Sequence, residues 1–128
     1  MCGITGFINI NKNPASDVIL KKMTDIIKHR GPDGEGRWIE DNIGIGHRRL
    51  AVLDPSPKGH QPMITADYRY VLSYNGEIYN YQKLRTELKK KNISFHSNTD
   101  SEVVINAIAH WGTDALLKFN GMFALAFW

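Results

Sequence analysis

Apolar residues at the start of the chain follow first a strand pattern and then a helix pattern. Residues 4–10 form a short run rich in apolar side chains that stops at residues 11–14, which is typical of a strand followed by a turn. Beyond Ser16 the apolar positions recur at helical spacing. Gly31-Pro32 closes this segment, so the predicted helix ends at His29-Arg30.

The next segment predicts a hairpin of two short strands, a further strand and a long loop. Glycines and apolar residues between Gly34 and Gly46 predict a hairpin whose strands join at Asp41-Asn42. Residues 50–53 form another apolar run, which predicts a further strand. Residues 54–62 contain three prolines and a glycine, so they are predicted to form a loop without a regular element.

In the second half of the chain, a strand pattern gives way to a helix pattern. Residues 68–74 are rich in aromatic and β-branched side chains and predict a strand that breaks at Asn75-Gly76, a pair that favours tight turns. Asn80 is expected to cap an amphipathic helix that ends at Lys91-Asn92. A short strand is predicted at residues 93–95.

The last third of the chain predicts one long helix and one strand. Residues 99–102, Thr-Asp-Ser-Glu, match a capping box, in which the Thr hydroxyl bonds forward and the Glu side chain reaches back. The helix is predicted to run through Trp111 and to stop at Gly112. A short helical stretch over residues 114–118 then leads to a strand over residues 122–128.

These elements predict a layered α+β fold with antiparallel sheets, because strands outnumber helices and short turns join neighbouring strands. The chain has 128 residues, of which 42% are hydrophobic and 23% charged. Both values are typical of one globular domain.

Charge and cysteine content exclude several classes of protein. The formal net charge is +3, but the 16 basic residues are interspersed with 13 acidic ones, which argues against a nucleic-acid surface. The densest basic run, Lys89–Lys91, falls where a predicted helix ends and cations favour the helix dipole. One cysteine cannot form an internal disulfide, which favours a cytoplasmic location. No apolar run approaches the roughly 18 residues of a membrane span.

Cys2 is the first candidate for chemistry. A lone thiol at the start of a strand is more often a small buried side chain without a chemical role. Loss of Met1 would change this, since Cys2 would then carry a thiol and a free α-amine, a nucleophile and a base on one residue. The reference pKa of an α-amine is about 7.7 to 8.0, so part of the population can accept the thiol proton at pH 7. The five histidines show no spacing of a metal site or a proton relay.

Five further positions could serve a thiol that cleaves the amide of a free amino acid. Asn75 and Gly76 offer a side-chain and a backbone N–H for an oxyanion, although taken alone the pair is more often a plain hairpin turn. Arg49 could bind an α-carboxylate, or it could form a surface ion pair. Asp100 and Glu77 could accept from an α-ammonium group, and helix capping is the alternative for Asp100.

Seven short motifs occur in an order and spacing that resembles one family, the class II or N-terminal-nucleophile glutamine amidotransferases. The segments HRGPDG and RRLAVLD make the chain similar to those of the asparagine synthetase type. The motifs are MCGI at residues 1–4, HRGPDG at 29–34, GHRRLAVLD at 46–54, QPM at 61–63, YNGEIYN at 74–80, TDSEV at 99–103 and NGMFA at 120–124.

The resemblance implies a reaction and a role for each site residue. The reaction is hydrolysis of glutamine to glutamate and ammonia, which would serve asparagine synthesis from aspartate. Cys2 would be the nucleophile with its own amine as base, and Asn75 with the amide of Gly76 would form the oxyanion hole. The substrate-binding residues implied by the family are Arg49, Val52, Glu77 and Asp100.

The resemblance also implies an architecture and a set of partners. The fold would be the N-terminal-nucleophile hydrolase sandwich, α/β/β/α with two antiparallel sheets, incomplete at its C-terminus. Residues 1–128 would be the N-terminal part of a glutaminase domain, with no metal site and no synthetase domain in this chain. ATP and magnesium are expected only for that absent synthetase domain. The implied partners are glutamine and a synthetase domain or companion chain, without nucleic acid or membrane, and a homodimer stays open.

Two other functions remain open at this point. The ammonia could go to an acceptor other than aspartate, held by a part of the protein that these residues do not include. Alternatively, the chain could be a catalytically silent fragment that acts by binding a partner. The sequence does not distinguish these functions, and it does not tell whether Met1 is removed.

Overall fold

The computed structural model describes all residues of the chain, 1–128, as two three-stranded antiparallel sheets with helices on their outer faces. The strands are β1 Gly3–Ile8, β2 Gly34–Glu40, β3 Ile43–Arg49, β4 Met63–Ile64, β5 Val71–Ile78 and β6 Gly121–Phe127. The α-helices are α1 Asp17–Ile26, α2 Tyr81–Lys89 and α3 Asp100–Trp111. Three 3-10 helices span Lys28–Arg30, Pro57–Gly59 and Gly112–Lys118.

The first sheet has the order β1-β3-β2, and α1 packs on its outer face. Gly44 and Gly46 of β3 leave room for the helix, because a Cβ at Gly46 would collide with Thr24 Cγ2. Leu20 of α1 fills this space and is completely buried. The Ser16 side chain accepts a hydrogen bond from the backbone N–H of Ile19 and so begins the helix as predicted.

The second sheet has the order β4-β5-β6 and faces the first. Ile43 and Ile45 of β3 pack against Val71 of β5 in a small buried cluster between the sheets. A polar contact adds to this interface, since His47 Nδ1 lies 2.9 Å from Ser73 Oγ. The two sheets therefore share one interior, apolar at one end and polar further along β3.

The larger core lies on the other face of the second sheet, under α2 and α3. Leu72 and Ile78 of β5 are fully buried there. The residues that complete this core are Tyr74, Leu84, Leu88, Val103, Val104, Ile105, Ala107 and Ala115. The layer order is thus α1, first sheet, second sheet, and α2 with α3, so the predicted α/β/β/α arrangement with two antiparallel sheets is confirmed.

The strand predicted at residues 50–53 is wrong. The chain leaves the first sheet after Arg49, and side chains take the amides that follow. The N–H of Leu50 donates to Cys2 Sγ at 3.3 Å, and the N–H of Ala51 donates to Asp33 Oδ2 at 2.9 Å. This apolar run therefore forms a loop that Cys2 and Asp33 hold in place.

The turn predicted at Asn75-Gly76 is also wrong, because β5 continues without interruption to Ile78. In the pairing with β6, Gly76 lies opposite Phe123. A Cβ at Gly76 would lie 2.6 Å from Phe123 Cα, so the glycine is needed for close approach of the two strands. The preference of Asn-Gly for turns is overridden by this tertiary pairing.

The short strand predicted at residues 93–95 is absent as well. This segment is irregular, because the carboxylate of Glu102 accepts the N–H groups that follow it, from His96 at 2.8 Å and from Ser97 at 2.7 Å. Glu102 therefore reaches back as a capping box requires, but to residues outside the box. The forward half of the box is confirmed, since Thr99 Oγ1 accepts from the N–H of Glu102.

Most of the remaining elements agree with the sequence apart from their ends, but β4 was not predicted, and Asn80 stands at the N-cap of α2 without a side-chain hydrogen bond to the helix. The hairpin of β2 and β3, the helices α1 to α3 and the last strand, β6, are confirmed. Helix α1 finishes with a 3-10 turn, and the proline-rich loop at 54–62 contains one 3-10 turn that was not predicted. No helix combines the length and apolar composition that a membrane crossing requires.

Candidate active site

A cavity of about 190 Å³ opens beside the N-terminus, where the loop after β3, strand β5 and the start of α3 meet. Every residue that the sequence nominated for the site lies on its wall, although these residues come from four separate parts of the chain. They are Cys2, Arg49, Val52, Asn75, Gly76, Glu77 and Asp100. Met1 also lines the cavity and is 66% exposed.

Cys2 lies immediately before β1 with its side chain partly exposed. Its sulfur accepts a hydrogen bond from the N–H of Leu50, and its carbonyl oxygen accepts one of 3.0 Å from Arg30 Nε. These contacts fix the residue from both the side chain and the backbone. Because the thiol borders a cavity, it differs from the buried thiol without a chemical role that the sequence left open.

The hydrogen-bond pattern of β5 determines which amides face β6. Val71 and Trp128 exchange both hydrogen bonds, and further along the ladder the N–H of Tyr79 donates to Asn120 O. In an antiparallel pair, hydrogen-bonded positions alternate with positions whose amides point outward. The outward-pointing amides between these two points are those of Leu72, Tyr74, Gly76 and Ile78.

The amide of Gly76 is free, in contrast to its two outward-pointing neighbours. The N–H of Tyr74 donates to Gln61 Oε1, and the N–H of Ile78 donates to Asp100 Oδ2 at 3.1 Å. Gly76, between them, meets no acceptor within the protein. Strand β5 thus presents one unused backbone donor at the cavity wall, from a strand interior and not from the turn that the sequence predicted.

Arg49, the last residue of β3, is held by backbone oxygens of the loop that follows it. Its Nη1 donates to Ser56 O at 2.8 Å, and its Nη2 donates to Asp54 O. The guanidinium group forms no ion pair with any carboxylate, so the surface ion pair that the sequence left open is wrong. A cation without a direct ion-pair partner therefore lines the cavity.

Asp100 is buried at the start of α3 and does not cap the helix, because Thr99 does. Its Oδ2 accepts from Tyr74 Oη at 2.7 Å and from the N–H of Ile78. Its Oδ1 has no partner in the protein. Burial, and then the negative charge of Asp100, raise the pKa of Tyr74 well above its ordinary value, so the phenol keeps its proton.

The other three nominated residues are less constrained. Glu77 is exposed and lies opposite Met122 in the β5–β6 pairing, and both line the cavity. The side-chain amide of Asn75 makes no hydrogen bond within the protein and is only partly exposed. Val52 lies in the loop after β3 and is 75% exposed. Their roles stay predictions.

Sequence reasoning missed Gln61, whose side chain forms hydrogen bonds with both backbone groups of Tyr74. Its Oε1 accepts from the N–H of Tyr74 and its Nε2 donates to Tyr74 O at 3.2 Å, as a neighbouring strand would. Gln61 thereby supports β5 beside Gly76. The only signal was its place in the QPM motif, since nothing local indicates a partner at Tyr74.

The histidines lie outside this constellation. His47 is fully buried between the sheets, and its Nε2 has no partner. Burial, together with the positive charges of His60 and Arg49, lowers the pKa of His47 to about 4, so the ring is neutral at pH 7. No group of His, Cys, Asp and Glu side chains is arranged to hold a metal ion.

The model of the glutamine amidotransferase domain family matches residues 1–128 of this chain. The chain belongs to that family. This confirms the resemblance drawn from the seven motifs, and it supports glutamine hydrolysis to give ammonia as the chemistry of the domain.

Several similar curated proteins are named as asparagine synthetases. Asparagine synthetase [glutamine-hydrolyzing] 1 of Bacillus subtilis is 38% identical over 133 residues, which cover 100% of this chain and 21% of that protein. Putative asparagine synthetase [glutamine-hydrolyzing] 2 of Methanocaldococcus jannaschii is 43% identical over 142 residues, which cover 97% of this chain and 27% of that protein. Amidase chry2 of Gibberella zeae is 36% identical over 140 residues, which cover 100% of this chain and 21% of that protein.

The amidotransferase domain thus spans about a fifth to a quarter of the length of these curated relatives. Among solved structures, it is similar to the glutamine phosphoribosylpyrophosphate amidotransferase of B. subtilis, complexed with ADP and GMP. The TM-score is 0.59 at 21% identity, over 70% of this chain and 22% of that one. This likeness confirms the amidotransferase fold.

Proposed function

We propose that this domain hydrolyses glutamine by nucleophilic catalysis from Cys2, and that the protein carrying it uses the ammonia to make asparagine from aspartate. One observation carries the first part: a single cavity brings together a thiol, a free backbone donor, an unpaired guanidinium and a buried carboxylate with one free oxygen. Few other chemistries would need all four groups on one wall.

In the proposed reaction, removal of Met1 leaves Cys2 with a free α-amine. The amine accepts the thiol proton, and the thiolate attacks the side-chain carbonyl carbon of glutamine. The resulting oxyanion accepts from the Gly76 N–H and from Asn75 Nδ2. The C–N bond then breaks, and the protonated amine gives its proton to the leaving ammonia. Water hydrolyses the γ-glutamyl thioester to glutamate and restores the thiol.

The two charged groups on the α-carbon of glutamine are matched by opposite charges on the cavity wall. Arg49 binds the α-carboxylate, because its charge is not compensated by a protein carboxylate. Asp100 Oδ1 accepts from the α-ammonium, and Glu77 contributes at the open side of the cavity. Val52 is proposed to contact the substrate from the loop after β3.

A glutamine-mimicking diazo-ketone tests the nucleophile. In the protein as its gene encodes it, intact mass should show loss of Met1, and the reagent should add once, on Cys2, with protection by glutamine. Cys2→Ala should remove both the adduct and ammonia release while circular dichroism stays the same. A simple alkylating reagent without an amino-acid group serves as the control for general thiol reactivity. Labelling that glutamine does not prevent would count against a substrate site.

A different acceptor is the second candidate, favoured by the 36% identity to a protein named as an amidase. The test is to supply ¹⁵N-amide glutamine with ATP, magnesium and either aspartate or no acceptor, and to follow the label. Label in asparagine supports the synthetase assignment. Label that remains in free ammonia with aspartate present, in protein that hydrolyses glutamine, contradicts it and leaves the hydrolysis proposal intact.

A further inference from the structure

Asp54 contacts Arg49 on one side of the cavity and, on the other, the segment that leads to Asp100. It follows β3 by a few residues, and its carbonyl oxygen accepts from Arg49 Nη2. Its carboxylate does not pair with this guanidinium. Instead, Oδ1 accepts from the N–H of Ser56 at 3.0 Å, and Oδ2 accepts from the N–H of Asn98 at 3.1 Å.

The first of these contacts shapes the loop that holds Arg49. Bonding of Oδ1 to the N–H of Ser56 turns the chain back on itself, as Asp side chains do in loops. This turn aims the carbonyl oxygens of Asp54 and Ser56 at the same guanidinium group. Close packing supports the arrangement, since a Cβ at Gly59 would collide with Arg49 Nη2.

The second contact joins this loop to the segment that carries Asp100. Asn98 comes directly before Thr99, the residue that caps α3, and Asp100 is the first residue of that helix. Asp54 therefore bridges two segments that are distant in the sequence. Hydrogen bonds from Ser56 and from the amide of Asn98 lower the pKa of Asp54 to about 2, so the bridge is ionised at every pH at which the protein would work.

We infer that Asp54 is a positioning residue for the substrate, and that its carboxylate sets the distance between Arg49 and Asp100, the proposed contacts of the α-carboxylate and the α-ammonium. This inference rests on the proposed function. By using both oxygens on backbone amides, Asp54 holds Arg49 in place without neutralising it. A carboxylate that paired with Arg49 directly would compete with the substrate for the guanidinium.

Asp54→Asn is the sharpest test, because the side chain keeps its size but presents an N–H₂ to one of two backbone donors. We expect KM for glutamine to rise on the order of tenfold, the effect of losing one hydrogen bond to a charged group. We expect kcat to stay within about threefold, since Cys2 and Gly76 are not contacted by Asp54. Both constants are measured by ammonia release in the protein as its gene encodes it.

Asp67→Asn is the matched control. Asp67 also holds a turn, with Oδ1 accepting from Thr65 Oγ1 and from the N–H of Arg69, and its pKa is likewise lowered by these bonds. It does not line the cavity. Because both donors bond to Oδ1, the amide oxygen of the substituted side chain can keep both bonds. The control therefore tests the loss of the charge of a turn carboxylate outside the cavity and should leave KM and kcat as they are.

A double-mutant cycle shows whether Asp54 acts through Arg49. If it does, adding Asp54→Asn to Arg49→Lys should raise KM by less than threefold beyond the single Arg49→Lys variant. Full additivity would overturn the inference, and so would an unchanged KM in Asp54→Asn, or an equal rise of KM in Asp67→Asn. If the unsubstituted protein releases no ammonia, the proposed function itself has failed.

Discussion

Tyr74 and Asp100 form a buried hydrogen bond of 2.7 Å that connects the middle of β5 to the first turn of α3. The phenol donates to Asp100 Oδ2, and the N–H of Ile78 donates to the same oxygen. With two donors on Oδ2, the plane of the carboxylate is fixed and Oδ1 is left for another partner. The strand thus determines how the helix presents its acidic side chain to the cavity.

Tyr74→Phe should weaken glutamine binding, because Asp100 would lose its shortest hydrogen bond. We expect KM to rise several-fold and the free energy of unfolding to fall by about 1.5 to 3 kcal/mol, the range for a bond to a charged group. Because burial raises the pKa of Tyr74, the unsubstituted protein should show no change in KM from phenol ionisation up to pH 10. Steady-state kinetics against pH and urea unfolding measure these effects.

Tyr70→Phe is the control for this substitution. Tyr70 stacks on Phe127 with ring centroids 5.3 Å apart, and its hydroxyl makes no hydrogen bond in the protein. Its replacement should leave KM and stability nearly unchanged. An equal effect of the two substitutions would show that Asp100 does not depend on Tyr74.

Glu102→Gln should destabilise the start of α3. The carboxylate of Glu102 is 10% exposed and accepts from the N–H groups of His96 and Ser97 and from Ser97 Oγ. Glutamine would turn its N–H₂ toward one of these donors, so we expect a loss of about 2 to 3 kcal/mol in urea unfolding. Glu87→Gln, which removes an exposed contact of 3.8 Å to Lys118, should cost less than about 1 kcal/mol. Similar losses would contradict the buried role of Glu102.

Prediction from the sequence succeeded where the relevant interactions are local. The helix predicted from Ser16 and the cap predicted at Thr99 both formed, because a capping hydroxyl needs only a partner three residues ahead. The hairpin at Asp41-Asn42 formed for the same reason, since its two strands are adjacent in the sequence. The site residues were found through motifs, each of which is contiguous.

The failures occurred where the deciding partner is distant in the sequence. Asn75-Gly76 is a good turn by local preference, but β6 pairs with it from the far end of the chain and makes it a strand. The amides of Leu50 and Ala51 bond to side chains of Cys2 and Asp33, which local pattern cannot reveal. The sequence therefore nominated residues that line one cavity while predicting an incorrect local geometry for two of them.

His47 should make stability fall in acid. Its pKa in the folded protein is about 4, below the ordinary value of 6.5, so between these pH values the unfolded chain binds a proton that the folded one does not. The contribution of His47 to the free energy of unfolding should be constant above pH 6.5 and fall by about 3 kcal/mol between pH 6.5 and pH 4. His47→Gln should remove this part of the slope in urea unfolding. The exposed His110, replaced in the same way, should leave the slope as it is.

Gly76→Ala separates the need for close strand packing from the need for a free amide. A Cβ at Gly76 would lie 2.5 Å from Met122 O, so β6 must move, and overpacking of this kind costs about 1 to 3 kcal/mol. Gly34 of β2 is the matched strand glycine, because its Cβ would meet only Arg49 Cβ at an ordinary 3.7 Å. Gly34→Ala should therefore change the free energy of unfolding by less than about 1 kcal/mol.

Activity is the decisive measurement for the Gly76 pair. Displacement of β6 moves β5 and with it the one outward amide that has no acceptor in the protein. If this amide stabilises the oxyanion as proposed, Gly76→Ala should lower kcat about 10² to 10³-fold, the usual cost of one oxyanion-hole donor, with a smaller change in KM. Folded Gly76→Ala protein with kcat near that of Gly34→Ala would exclude the Gly76 amide from the reaction and leave Asn75 as the sole candidate donor.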